Sequence, residues 1–140
     1  MYTNSTAIME EIKTILTNGL SASNPDLTII LDEPIILDYN SLPLLCIFPM
    51  KEDYSYDESF GSEYKKDLSV NISIRLKGKP ASSLATPFVN SICDLIHSNR
   101  DLNGLADYVE IQTIQWGNDR VEEGYVCGAS IDLQIKYLTQ

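Results

Sequence analysis

Residues 67–78 read DLSVNISIRLKG. Leu68, Val70, Ile72, Ile74 and Leu76 occupy alternate positions, with Ser69, Asn71, Ser73, Arg75 and Lys77 between them. Successive side chains of a strand point to opposite faces, so this alternation describes a strand with one buried face and one wet face. A sheet built on such a strand needs a covering layer on one side only, and the rest of the chain supplies it as helices.

Two segments have the 3.6-residue period of an amphipathic helix. In NSTAIMEEIKTILTNG, residues 4–19, the stripe is Ile8, Ile12, Ile15 and Leu16, with Asn4 or Ser5 placed to cap its start and Gly19 to end it in a left-handed conformation. In TPFVNSICDLIHSN, residues 86–99, Phe88, Ile92, Leu95 and Ile96 form the stripe. There Thr86 is a candidate cap, with Pro87 at the first helical position.

Between the helices, residues 26–49 (DLTIILDEPIILDYNSLPLLCIFP) give short β-rich runs near 27–31 and 44–48, broken by Pro34, Asn40 and Pro43, with a possible extra strand at 35–37. DYVEIQTIQW, residues 107–116, and YVCGASIDLQIKYL, residues 125–138, read as two closing strands joined by the turn GNDRVEEG. The apolar parity shifts between Ile111 and Ile114, which predicts a bulge or a change of buried face. The expected fold is an α+β domain: a mainly antiparallel sheet with two helices on one face, in the order α-β-β-β-α-β-β, in one domain spanning residues 1–140.

The 140 residues include 20 acidic and 10 basic side chains, a net charge of −10, a field that repels phosphate and disfavours a nucleic-acid grip. Cys46, Cys93 and Cys127 lie far apart in apolar runs, where a small buried hydrophobe fits, and predict a reduced, cytosolic setting. No apolar run approaches a membrane span and none reads as an export signal, so no membrane association is expected.

The chemistry-bearing stretch is MKEDYSYDESFGSEYKKD, residues 50–67, with six carboxylates, three tyrosines and one phenylalanine. Asp53, Ser55, Asp57 and Ser59 alternate as hard-cation ligands do, but a calcium loop needs glycine at its sixth position and glutamate at its twelfth, and Glu58 and Tyr64 stand there. A polar loop also lacks the burial that raises a catalytic carboxyl pKa. His97, the single histidine, stands at a helix end where its charge complements the dipole, and has no nucleophile or metal partner in reach of sequence. The expectation is therefore no catalytic residue, no metal and no cofactor. Rigid aromatics with polar tips suit interfaces, so Tyr54, Tyr56, Phe60 and Tyr64 read as contacts for another protein. Trp116 fits either the core or a subunit contact.

The layout as a whole resembles the tail terminator, or tail completion, proteins of tailed bacteriophages. The likeness rests on an N-terminal helix, LPLLCIFP, a polar insertion, DLSVNISIRL, a helix ending before DLNGL, and the closing DYVEIQTIQW and SIDLQIKYL. NRDLNGLADYVEI and the IKY ending add short signatures, and the likeness covers nearly the whole chain. The resemblance implies a non-enzymatic virion subunit, assembled in the bacterial cytoplasm into a homo-oligomeric ring, generally of six. Such a ring caps the tail-tube protein, meets head or neck connector proteins and lets DNA pass through its lumen without specific binding. Neck proteins of the same joint share a similar fold and form the close alternative; a small ligand-binding or regulatory domain is the alternative from another class.

A ring needs two unlike patches, because head-to-tail contacts join different surfaces. One candidate patch is Tyr54, Tyr56, Asp57, Glu58, Phe60 and Tyr64; the other is a basic patch of Lys65, Lys66, Arg75, Lys77 and Lys79, with Trp116 as a further anchor.

Overall fold

The computed structural model describes residues 4–32, 39–56, 64–78 and 82–139. Its elements are α1 (Ser5–Leu20), β1 (Thr28–Ile30), β2 (Leu44–Tyr56), β3 (Tyr64–Lys77), α2 (Ser82–Ser98), β4 (Tyr108–Val121) and β5 (Gly124–Thr139), with a 3-10 turn at Tyr39–Ser41. The strands form one sheet in the order β1-β2-β3-β5-β4. Every neighbouring pair is antiparallel except β1 and β2, so the fold is α+β in the order expected. The possible strand at 35–37 falls outside the described residues.

The alternating strand β3 sits at the centre. Leu68, Val70, Ile72 and Ile74 lie opposite Ile135, Leu133, Ile131 and Ala129 of β5, and these side chains meet Ile8, Ile12 and Leu16 of α1 and Ala85, Val89, Ile92 and Ile96 of α2 in one core. Each fully buried aliphatic side chain contributes about 1.5–3 kcal/mol relative to exposure, and both apolar stripes read from sequence face inward. The Asn4 side chain caps α1, accepting from the Ala7 amide at 2.9 Å.

Several local expectations are corrected. Gly19 does not end α1, which runs to Leu20 with Ser21 as its right-handed cap. Its role is helix packing: a Cβ there would stand 2.5 Å from the Leu95 methyls of α2. Helix α2 starts before Thr86, at Ser82, and holds Pro87 inside it. Pro87 lies early in the helix and forfeits one intrahelical bond, while the extra turn brings Ala85 into the core at 3% exposure.

The side of β3 expected to be wet is mixed. Asn71 is buried, and its Nδ2 donates to Ser130 Oγ at 2.5 Å and Asp132 Oδ1 at 2.7 Å. Ser73 and Arg75 are half-buried and Lys77 is exposed. Toward β1 this face carries a second apolar cluster of Leu42, Leu44, Cys46 and Val126. Cys46 and Cys127 are buried and Cys93 is half-buried; all three are free thiols whose pKa burial pushes up. Asn71→Ala would leave Ser130 and Asp132 without their shared donor, and is expected to cost about 1–3 kcal/mol, read as a lower urea midpoint at unchanged slope.

Candidate assembly surfaces

Residues 50–56 and 64–67 are strand, although their composition suggests a loop. Strand β2 continues through Tyr56 and β3 begins at Tyr64, with Asp53, Tyr54, Ser55 and Tyr56 opposite Asp67, Lys66, Lys65 and Tyr64. Polar residues pair in the ladder here, where Asp53, Tyr54 and Ser55 are exposed and Glu52 is half-buried. Asp57, Glu58 and Phe60 lie outside the described residues.

Where the core ends, one polar cluster closes it. The Tyr137 hydroxyl donates to Glu52 Oε1, Lys66 Nζ lies 3.9 Å from the same oxygen, and its ammonium sits 4.8 Å from the Tyr54 ring and 5.7 Å from the Tyr137 ring. The tyrosines present π-faces to a cation that also has a carboxylate partner. Tyr54 keeps 49% of its surface exposed at the outer side of this cluster.

The basic patch does not come together. Lys66 belongs to the helix-side face of β3 and Lys65 to the opposite one, by strand parity. Arg75 and Lys77 stand at the far end of the same strand, about 33 and about 40 Å from Lys65 at about 3.3 Å per residue. Lys79 lies outside the described residues.

The second surface is built by β4 and β5. The parity shift read from Ile111 and Ile114 is a bulge, with the register slipping between Ile111 and Thr113. Strand β2 slips at Pro49/Lys51, and the register Pro49–Val70–Leu133–Ile111 places both bulges on one row across the sheet. Bulges bend and twist a strand, and this pair flanks a hollow of about 440 Å³ lined by Met50, Lys51, Ser69, Gln112, Asp132 and Gln134.

Beyond its bulge β4, the edge strand of the sheet, is exposed, while Ile131, Ala129 and Cys127 beside it on β5 stay in the core. Val109 is 1% exposed, whereas Gln112 through Arg120 are all exposed. The segment GNDRV, expected as part of a turn, is strand; only Glu122 and Glu123 form the turn. Ile114 and Trp116 share a face at 36% and 53% exposure, and Tyr125 of β5 adds 37% under the Arg120 guanidinium, 5.5 Å from its ring. Trp116 is thus not a core residue. Sequence reasoning did not single out Ile114 or Tyr125 for this surface, which the cross-strand register alone assembles.

The two surfaces occupy opposite ends of the sheet. Trp116 faces Ala129 and the Tyr54–Lys66 pair faces Tyr137, and the interval Ala129–Tyr137 spans about 27 Å at about 3.4 Å per residue. Among the described residues no group of histidine, cysteine, aspartate and glutamate could hold a metal ion, and no helix is long and apolar enough to cross a membrane.

No family model and no curated protein matches the chain. Among solved structures, a chain of the virion of native gene transfer agent (GTA) particle is similar at 9% identity, with 97% of this chain and 95% of that chain covered and a TM-score of 0.37.

Proposed function

We propose that this protein is a structural subunit of a tailed-phage joint, which assembles head to tail into a closed ring, of six copies by the family likeness, at the end of the tail tube. The observation that carries the reading is the exposed Ile114–Trp116–Tyr125 surface at the β4 edge of the sheet, at the other end of the sheet from an acidic aromatic arm. Exposed large apolar side chains grouped on one face mark association sites, and two unlike surfaces on one subunit are what a heterologous ring uses. The element order and the signatures NRDLNGLADYVEI and IKY support a tail terminator, with a neck connector of the same joint as its close variant. The net charge of −10 suits a lumen that DNA crosses without adhesion, and no cofactor or catalytic group enters this role.

Native mass spectrometry and electron microscopy test the reading. A closed ring, alone or on tail-tube ends, is the expected result; a strict monomer that fails to bind a tube end would sink it. Changing Tyr54, Tyr56 and Phe60 together to serine is expected to leave the monomer folded and weaken assembly by about 2 kcal/mol or more. Intact assembly in that variant would move the interface elsewhere.

A further inference from the structure

We propose that the face of the sheet away from the helices carries a receptor groove for a second copy of this chain, in which Arg75 holds the acidic segment 57–63 that joins the neighbour's β2 to its β3. This deepens the ring reading and rests on it. The groove, about 320 Å³, runs across β3, β5 and β4 and is lined by Ser73, Arg75, Gln115, Gly117, Asp119 and Ser130, among others. Gly117 and Gly128 face each other in the register and form its low floor. A Cβ at Gly117 would meet nothing within 4 Å, so the space above it is open to a guest.

Arg75 supplies the chemistry. It is half-buried, and among the described residues its guanidinium has no ion pair and no hydrogen-bond partner. Asp119, the carboxylate lining the groove, instead accepts from the Arg120 backbone amide at 2.8 Å. A partly desolvated cation without a carboxylate is unfavourable, and a guanidinium fork fits a carboxylate in two parallel bonds. The hydroxyls of Ser73 and Ser130 and the Gln115 amide offer further hydrogen bonds beside it.

The occupant should be anionic. Residues 57–63 carry Asp57, Glu58 and Glu63 with no lysine or arginine among them. The chain cannot seat its own segment in its own groove, since β3 separates Arg75 from Tyr64 by about 36 Å at about 3.3 Å per residue. The contact therefore joins unlike surfaces of two copies and propagates head to tail until it closes. Nucleic-acid phosphate is disfavoured as the occupant by the net charge of −10.

Two charge reversals test the proposal: Arg75→Glu, and Asp57→Lys with Glu58→Lys and Glu63→Lys. Each variant alone places like charges in every contact and is expected to associate about tenfold or more weakly than wild type. An equal mixture restores the ring, because alternating subunits pair opposite charges at every contact. Circular dichroism checks that each monomer is folded; should Arg75→Glu melt early, Arg75→Gln is expected to weaken assembly in the same direction. Wild-type-like rings from both variants, or a folded mixture that does not recover, overturn the groove assignment and leave the ring standing. A wild-type chain that stays monomeric even with tail-tube ends overturns the ring, and this contact with it. An Arg75→Glu variant that assembles normally but loses binding to a labelled DNA duplex overturns the proposal in favour of phosphate.

Discussion

Gly128→Ala is expected to cost about 4 kcal/mol or more and to leave little folded protein at 37 °C, because the new methyl has nowhere to go. A Cβ on Gly128 would lie 2.0 Å from the Ile74 carbonyl oxygen, 3.1 Å from its carbon and 3.3 Å from Arg75 Cα. All three are backbone atoms of the central strand, so no rotamer change relieves the clash; β3 and β5 must part where Arg75 faces Gly128. Overpacking a well-fitted site commonly costs about 1–3 kcal/mol, and values above about 4 belong to changes that break a buried network. Here the ladder between two core strands is what breaks. Gly117→Ala is the control. It faces Gly128 from β4, meets nothing within 4 Å, and should change stability by less than about 0.5 kcal/mol. Chemical denaturation of both variants decides: equal midpoints would mean that the close approach at Gly128 is not what holds the register.

That contrast marks what a sequence can carry. The β3 alternation and the two helical stripes were legible because each segment repeats one relation, apolar toward the core, at a fixed period. The β4 bulge was legible for the same reason, since Ile111 and Ile114 cannot share a face unless a residue is inserted. Gly117 and Gly128 carry no such mark. That one glycine tolerates a side chain and the other does not follows only from the distance between β5 and β3.

Strand length was misread at both hairpins for one physical reason. Periodicity records burial, and beyond Pro49 in β2 and from Gln112 in β4 nearly every side chain is exposed, so the ladder persists there without the alternation that marks a half-buried strand. Polar residues there read as loop or turn, although backbone pairing continues through Tyr56 and Val121. Pro49 and the bulge beside it, on a strand that β1 accompanies only through Cys46, further disguised β2. Lys65, Lys66, Arg75 and Lys77 read as one basic patch because they are near in sequence, but a strand spreads neighbours along its length and across both faces. Sequence singled out Tyr54 and Trp116, and both are exposed, at 49% and 53%; Ile114 and Tyr125 looked like ordinary strand residues until the register brought them beside Trp116.

Trp116→Ser should separate assembly from folding. With 53% of its surface exposed on a strand segment that no helix covers, Trp116 contributes little to the monomer, and its loss should move the denaturation midpoint by less than about 0.5 kcal/mol. In the ring reading the same side chain is buried against a neighbour. Tryptophan truncation at an interface commonly costs about 2 kcal/mol or more, close to thirtyfold in each contact. A closed ring multiplies that loss, because every subunit gives up the same contact at once. The expected result is a folded monomer that no longer forms rings at concentrations where wild type does, measured by sedimentation velocity. Ile114→Ser, on the same face, should act in the same direction with a smaller effect, since less apolar area is lost. If Trp116→Ser destabilised the monomer instead, the tryptophan would be serving the sheet. If neither property changed, the face of β4 that bears Ile114 and Trp116 would have no part in holding the ring, and the contact would rest on the acidic arm and the groove at Arg75 on the opposite face.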